Sequence, residues 1–534
     1  MSDTAEGGSW DVLRRRLEES ARALVQKVDA LDQARSATFG GGALGLLGPA
    51  RLRTEGACLP VDAATVGGLV LFGLHTTLGL RKEVMVDDVL ALAELVDGPE
   101  GASLERVTDA RGAWLADPRF LKDLRDLFSY YRDARLERLR TDVGMLLAVF
   151  RLGDRSADRR VFHWEVKPDG VRYVDNRGDR LLQLPPSHEV PWTPTTREDH
   201  RLGRHPHVSI RDRVFVETVG GDLTIKVENN TEDGAGVYSE PVDDARQSLD
   251  DAVIEYAIVG ALVLLRIRPY NEAAFRHFVF HTRTQQVHRV DGLGASCARL
   301  PEDHGVVFPG GYALETGEVK AFSGAIDRAL DRVVRAPNGE DVLYVLRGAD
   351  GRASLYPYNL VRREVASPIE GFGAALLPDG RMVVVRADAR EAVRVHALQL
   401  WQTAFCSPEH EAGRPRGAGL LGRVGNADLV RGIADAYALA RRVALQPTRA
   451  VFSDTASAAG RLIDDHPWLK DAEAGALDAD AAAIRATAEA ILGEYDKIEQ
   501  LRRRAAETLT RAERDVAQLV ADVRPDLWRD AAPY

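Results

Sequence analysis

The sequence predicts a mainly β centre, propeller-like with six or seven degenerate blades, flanked by α-helical coiled-coil segments. Three observations carry this. From Leu46 to about Phe405 short apolar stretches of strand length alternate with Gly, Asp, Asn and Pro. Within that region a strand, turn, strand unit recurs loosely, with turns such as Pro168-Asp169-Gly170, Gly348-Ala349-Asp350-Gly351 and Pro378-Asp379-Gly380. At both ends the pattern changes to apolar residues spaced three and four apart.

Taken in order, the first element is an N-terminal amphipathic helix over 1–39. Trp10, Leu13, Leu17, Ala21, Leu24, Val28 and Leu31 form its narrow seam, and Gly40-Gly41-Gly42 ends it. The β-rich domain is expected over 40–406, with strands such as Met145 to Arg151, Val253 to Val259, Leu262 to Ile267, Ala374 to Leu377 and Met382 to Arg386. Its aromatics Phe162, Trp164, Tyr173, Tyr356 and Tyr358 read as core and rim. A helical insertion is expected over 117–139, because Asp117-Pro118 is a good N-cap and first-turn pair and Phe120, Leu124, Leu127, Tyr131 and Leu136 follow near helical spacing. A linker is expected over 407–425 and a helical region over 426–534. There, residues from Ile484 to Val523 alternate spacings of four and three with one charged seam position, Arg502, predicting a coiled coil at about 479–524.

The stretch 204–244 concentrates β-pattern, turn chemistry and polar groups. Val214 and Val216, then Leu223, Ile225 and Val227, alternate on either side of Gly220-Gly221-Asp222, which is a hairpin pattern. Its polar residues His205, His207, Arg213, Asp222, Lys226, Glu228, Asn230, Asp233 and Tyr238 are the candidate docking surface. No catalytic, cofactor-binding or metal residue is assigned. Asn229, Thr231, Asp233, Gly234 and Glu240 fit a calcium-loop spacing only in part, with Asn first and strands for flanking helices. Pro206 keeps the rings of His205 and His207 apart. Gly40 to Gly45 fits G-x-G-x-x-G literally, but a helix precedes it where a dinucleotide fold needs a strand. No G-x-x-x-x-G-K-[ST] occurs, so no ordinary P-loop is present to grip a nucleotide.

A net charge of −11 excludes a diffuse basic field for nucleic acid, although a local patch stays open, and favours protein partners. Only eight of the 70 basic residues are lysine, a bias that carries no functional reading. Cys58, Cys297 and Cys406 are odd in number and far apart, which suits a reducing compartment. An acidic start, MSDTAEGGSW, and the lack of a long apolar run lead us to expect a cytoplasmic protein without membrane contact.

Six blocks are recognisable as wording: DPRFLKDLRDLFSYYRDAR (117–135), YVDNRGD (173–179), HPHVSIRDRVFVETVGGDLTIKVENNTEDGAGVYSEPVDD (205–244), DHGVVFPGGYALETGEVKAF (303–322), PNGEDVLYV (337–345) and HALQLWQTAF (396–405). Together they resemble the N-terminal region of a large bacterial family of DNA-repair ATPases, over roughly residues 10 to 410. The resemblance implies an uncharacterised N-terminal module, then coiled coil, then a C-terminal AAA-type ATPase. The Walker residues of that last part have no counterpart in this chain, so no activity is carried over. The expectation is a non-catalytic scaffold that docks an ATPase module, or itself, through the coiled coil and needs no cofactor of its own. Nucleic acid would be met through such a complex. The rival readings are a propeller-type hydrolase or lyase with an acidic central pocket, and a direct DNA-binding module.

Overall fold

The computed structural model describes residues 3–522 except 40–43, 77–82, 99–100, 154, 156–157, 204, 228–235, 323–325, 387–390, 414–416 and 446. It divides into a helical unit, Met1–Gly40 with Pro415–Tyr534, and a β unit, Gly41–Arg414. The α-helices are α1 (Asp3–Phe39), α2 (Pro118–Tyr130), α3 (Pro408–Ala412), α4 (Gly419–Val424), α5 (Asn426–Val443), α6 (Arg449–Asp465) and α7 (Leu477–Asp522). None is long and apolar enough, among the described residues, to cross a membrane.

In the helical unit α1 packs on α5 and α7. The seam residues of α1, Leu17, Ala21, Leu24, Val28 and Leu31, are buried, and so are Leu477, Ala481, Ile484, Ala488 and Ile491 of α7. Both rows step by four and three, the spacing that keeps one stripe facing a neighbouring helix. Trp10 sits edge-on between Phe452 of α6 and Tyr495 of α7, at 5.7 and 5.0 Å. Beyond Tyr495 the stripe of α7 is open: Leu509, Val516 and Leu519 are 62%, 58% and 66% exposed. The expected coiled coil is therefore a single 46-residue helix whose first half is covered within the unit and whose second half is not. The segment 407–425, expected as a linker, carries α3 and α4 on either side of 414–416.

Among the described residues the strands of the β unit form five sheets, which divide into seven antiparallel modules. Module 1 covers 59–106, module 2 135–175, module 3 200–241, module 4 253–289 with Thr193–Pro194 on its edge, module 5 298–321, module 6 329–365 and module 7 369–402. The 22-residue strand Gly45–Val66 joins the ends of the unit. Its first half pairs with Val393–Gln402, as the fourth strand of module 7, and its second half pairs with Leu69–His75 to begin module 1. Ile369–Leu376 repeats the device, pairing first with Ala353–Asn359 of module 6 and then opening module 7. The three turns singled out in the sequence all close hairpins, and Gly351 and Gly380 take φ of +84° and +87°, which only glycine adopts without strain.

Neighbouring modules share apolar cores. Ala64, Leu71 and Leu92 of module 1 meet Leu146, Phe162 and Trp164 of module 2, and Phe72 and Ala93 meet Val383 and Leu398 of module 7. Modules 3 and 4 share a core built on Val216, Ile225, Leu265 and Phe278. Strands covered on both faces lose the alternating pattern, which is why Leu146 to Phe150 is buried without a break.

The expected insertion is shorter than the sequence suggested. Asp117 caps α2 by accepting from the Arg119 and Phe120 amides, but the helix ends at Tyr130, and Leu136 lies in the strand Arg135–Asp142. An apolar residue at Leu136 satisfied a helical spacing and a strand position equally well, and tertiary packing chose the strand. Phe120 fixes α2 to module 2 through ring contacts with Phe162, Trp164 and Tyr173 at 5.0–5.8 Å. Phe120→Ala should lower the stability of the β unit by about 3–5 kcal/mol, read as an earlier urea unfolding midpoint, because the ring is fully buried.

Candidate functional site

The hairpin read from the sequence is present: Val214–Glu217 pairs with Asp222–Lys226, joined through Gly220 and Gly221 at positive φ. One face of module 3, with Val208, Ile210, Val214, Val216, Leu223 and Ile225, belongs to the core shared with module 4. The other face carries His207, Ser209, Phe215, Glu217, Thr224 and Lys226, and it too is buried. Period-two alternation puts these polar groups side by side. Lys226 pairs with Glu217, whose other oxygen lies 3.8 Å from His205 Nδ1. The Nδ1 of His207 is 3.0 Å from the His205 carbonyl, and its Nε2 is buried without a partner among the described residues.

The candidate docking residues therefore separate. His207 and Lys226 lie inside, in contact with their own sheet, where no partner reaches them. Arg213 and Asp222 are exposed at different turns. The Tyr238 hydroxyl donates to Glu240, 2.6 Å away, and Glu240 also takes Arg276 and Arg289 at 2.6 and 3.1 Å. Burial and that carboxylate push Tyr238 up to about 12. Burial would raise Glu240, but the Tyr238 hydroxyl and the two guanidiniums hold it below the usual carboxylate range. Glu228, Asn230 and Asp233 lie outside the described residues, as do Asn229, Thr231 and Gly234 of the calcium spacing and Gly40, Gly41 and Gly42 of the glycine run. Among the described residues no group of three or more His, Cys, Asp or Glu side chains could hold a metal. Cys297 is pushed up to about 12 by burial, so its thiol stays protonated.

A second polar cluster, which the sequence does not reveal, joins the first strands of modules 1, 2, 6 and 7. Asp62, 1% exposed, accepts from Arg347 at 2.9 Å, from its neighbour Ala63 at 2.9 Å and from the Leu139 amide at 2.8 Å. Arg347, 5% exposed, gives its Nη1 donors to the carbonyls of Gly351 and Phe372, at 3.1 and 2.7 Å. Arg138 pairs with Asp331 and with Glu137, and Glu137 also takes Arg159 at 2.9 Å. Arg140 and Arg332 reach the carbonyls of Asp331 and Ala374. Five guanidiniums thus face three carboxylates.

The backbone reason is a set of four bulges. Pairing registers shift between Pro60 and Asp62, Leu136 and Arg138, Leu330 and Arg332, and Gly371 and Gly373. Glu137 and Asp331 are themselves the extra residues, and a bulge re-aims side chains out of the regular alternation. Gly373 makes the close approach possible: a Cβ there would lie 2.0 Å from Asp62 Oδ1.

Burial opposes ionisation of Asp331, but Arg347, Arg138, Arg332 and Arg140 outweigh it and hold the acid below its usual range. Burial likewise opposes Glu137, and Arg159 and Arg138 reverse it. For Arg347 the burial penalty is overcome by Asp62 and Asp331, which raise it further. Each carboxylate is committed to arginine, so the arrangement organises strands and concentrates positive charge, with no acid free to exchange protons.

Two cavities lie nearby, and the smaller of them adjoins this cluster. The smaller, about 240 Å³, is lined by Pro60, His75, Arg135, Glu137, Gly351 and Phe372 among others, and the larger, about 500 Å³, runs along modules 1 and 2 past Val84, Phe128 and Arg132. They share His75, Arg135 and Leu136.

A family model described as "ATPase involved in DNA repair" matches residues 23–467. The chain belongs to that family. The match spans the whole described β unit and reaches into both terminal parts of this family member's helical unit. No curated protein matches the chain. Among solved structures it is similar to a chain of the mitotic checkpoint complex (10% identity, 68% of this chain and 93% of that one, TM-score 0.23). It is also similar to the β-propeller domain of the Trilobed protease from Pyrococcus furiosus, described as having an open velcro topology (11%, 66% and 100%, TM-score 0.20). A third is the periplasmic gluconolactonase of Pseudomonas aeruginosa (10%, 63% and 73%, TM-score 0.14). At these TM-scores none of the three transfers anything to this chain.

Two outcomes follow from the ion-pair cluster. Asp62→Ala should destabilise the β unit by about 3–5 kcal/mol in urea unfolding, since it strands Arg347 as an unpaired buried charge. Asp331 and Glu137 have lowered folded values, so their stabilisation is complete above the unfolded carboxylate range near about 4 and is lost as pH falls through the lower folded values. The urea midpoint should accordingly drop as pH falls below that range, and less steeply in Asp331→Asn.

Proposed function

We propose that this chain is a non-catalytic scaffold of a DNA-repair ATPase assembly, with ATP hydrolysis supplied by a module other than the described β and helical units. The family description supports the setting, and the lack of a P-loop sequence supports the division of labour. In the finer reading of the fold, the seven modules form a propeller-like ring. Support comes from the pairing of Gly45–Val66 with Val393–Gln402 and from the cores shared by modules 1 and 2, 1 and 7, and 6 and 7. A hydrolase with an acidic centre asks for a free carboxylate, and Asp62, Glu137 and Asp331 are all held by arginine.

The observation that carries the docking role is the second half of α7. Apolar side chains at Ile498, Leu509, Val516 and Leu519 continue the seam with nothing over them among the described residues. The occupant we assign is a second α7 running antiparallel. With Arg502 opposite Ala512, the small alanine leaves room for the guanidinium, and Glu513 and Asp515 of the other copy flank it. The same register sets Ile498 against Val516. A parallel pair would instead bury Arg502 against itself.

Light scattering on the full chain should show a dimer at micromolar concentration. Leu509→Asp combined with Val516→Asp should give a monomer with unchanged far-UV circular dichroism. A wild-type monomer that gains a stable complex only on adding the ATPase module would overturn self-association and assign that module to α7.

A further inference from the structure

The paired cavities beside the arginine cluster carry a reading independent of the docking role. We propose that they bind a small ligand through an oxyanion, a phosphate or carboxylate group attached to a compact apolar body, with Arg135 as the principal anchor and Arg132 beside it.

Four observations support this. First, the two spaces, about 500 and 240 Å³, meet at His75, Arg135 and Leu136, and their size is that of small-molecule sites. Second, the guanidiniums of Arg132 and Arg135 have no hydrogen bond or ion pair among the described residues, whereas most acids of the lining are engaged. Asp88 accepts from the Met85 amide, Glu137 is held by Arg138 and Arg159, and Asp350 by the amide and guanidinium of Arg352. Asp133 is the one lining carboxylate left without a partner among the described residues, so two unpaired guanidiniums stand beside one unpaired carboxylate at the mouth. A planar guanidinium with free donors matches the geometry of phosphate and carboxylate.

Third, the wall behind the smaller cavity adds charge of the same sign. Gly351 and Phe372 line it, and their carbonyls hold Arg347. The five guanidiniums and three carboxylates of that cluster leave a positive excess, and the Nε groups of Arg138, Arg332 and Arg347 are buried without a partner among the described residues. Charge held in a dry wall acts strongly on an anion in the cavity. Fourth, the floor of the larger cavity is apolar: Leu74, Val84, Val89 and Leu136 are buried there and Phe128 stands at one side. Burial and the nearby Arg135 charge lower His75, so at neutral pH its imidazole stands uncharged at the junction of the two spaces.

Isothermal titration of the full chain with phenyl phosphate, benzoate and benzyl alcohol, at ionic strength matched with chloride, tests the proposal. Phenyl phosphate or benzoate should bind and benzyl alcohol should not; whichever oxyanion binds more tightly names the group. Arg135→Gln should weaken binding roughly tenfold or more, as expected for loss of a charge-assisted hydrogen bond, with a smaller loss in Arg132→Gln. Asp133→Asn should strengthen it. Both arginines are exposed, so far-UV circular dichroism should be unchanged in each variant. Failure of both oxyanions to bind, equal binding of benzyl alcohol, or unaltered affinity in Arg135→Gln overturns the proposal.

Discussion

The buried pair between Asp62 and Arg347 is the constraint on which the centre of the β unit depends. Its partners stand 285 residues apart, and through the Leu139 amide and the Gly351 and Phe372 carbonyls it ties modules 1, 2, 6 and 7 together. Taking two charges out of water is costly, and the cost is offset only where nearly every donor and acceptor finds a partner. Here Asp62 accepts three hydrogen bonds, and the bulges at four strand starts bring the groups into range. A sheet slipped by one residue would strand these charges, so the cluster also fixes register, as the apolar faces do elsewhere.

The helical unit relies on a different rule. One heptad spacing serves α7 along its length, yet its first half is sealed by α1 and α6 while its second half is bare. Polar locks mark the sealed part: Lys27 on Asp480 at 2.5 Å, Tyr437 on Asp29 at 2.5 Å, and a buried Arg35 held by Asp32 and Asn426. The exposed leucines and valine of the second half cost solubility unless another helix covers them, which gives the docking proposal its physical basis.

Membership of a family described as "ATPase involved in DNA repair" sets the biological frame. In the central cluster Asp62, Glu137 and Asp331 are each held by arginine, and Cys58 and Cys297 are buried. The proposed anion site and the proposed pairing of α7 are separable, since they lie in different units.

Much of the fold was legible from local pattern. Hairpins, turn glycines, the core aromatics and both amphipathic helices follow from periods of two and of three to four, which a chain displays without reference to its neighbours. Leu136 shows where that ends, since its spacing suited either element and only packing chose the strand. The polar stretch 204–244 was legible as a hairpin, but the burial of His207 and Lys226 was not, because alternation cannot say whether a second face meets water or another layer. The arginine cluster was not legible at all: Asp62, Glu137, Asp331 and Arg347 lie in ordinary strands, scattered along 285 residues. The sequence by itself determined the element types, the turns, the seam of α7 and the family. Tertiary structure alone decided which charges are buried and paired, since that depends on contacts between residues far apart in the chain, which no local period records.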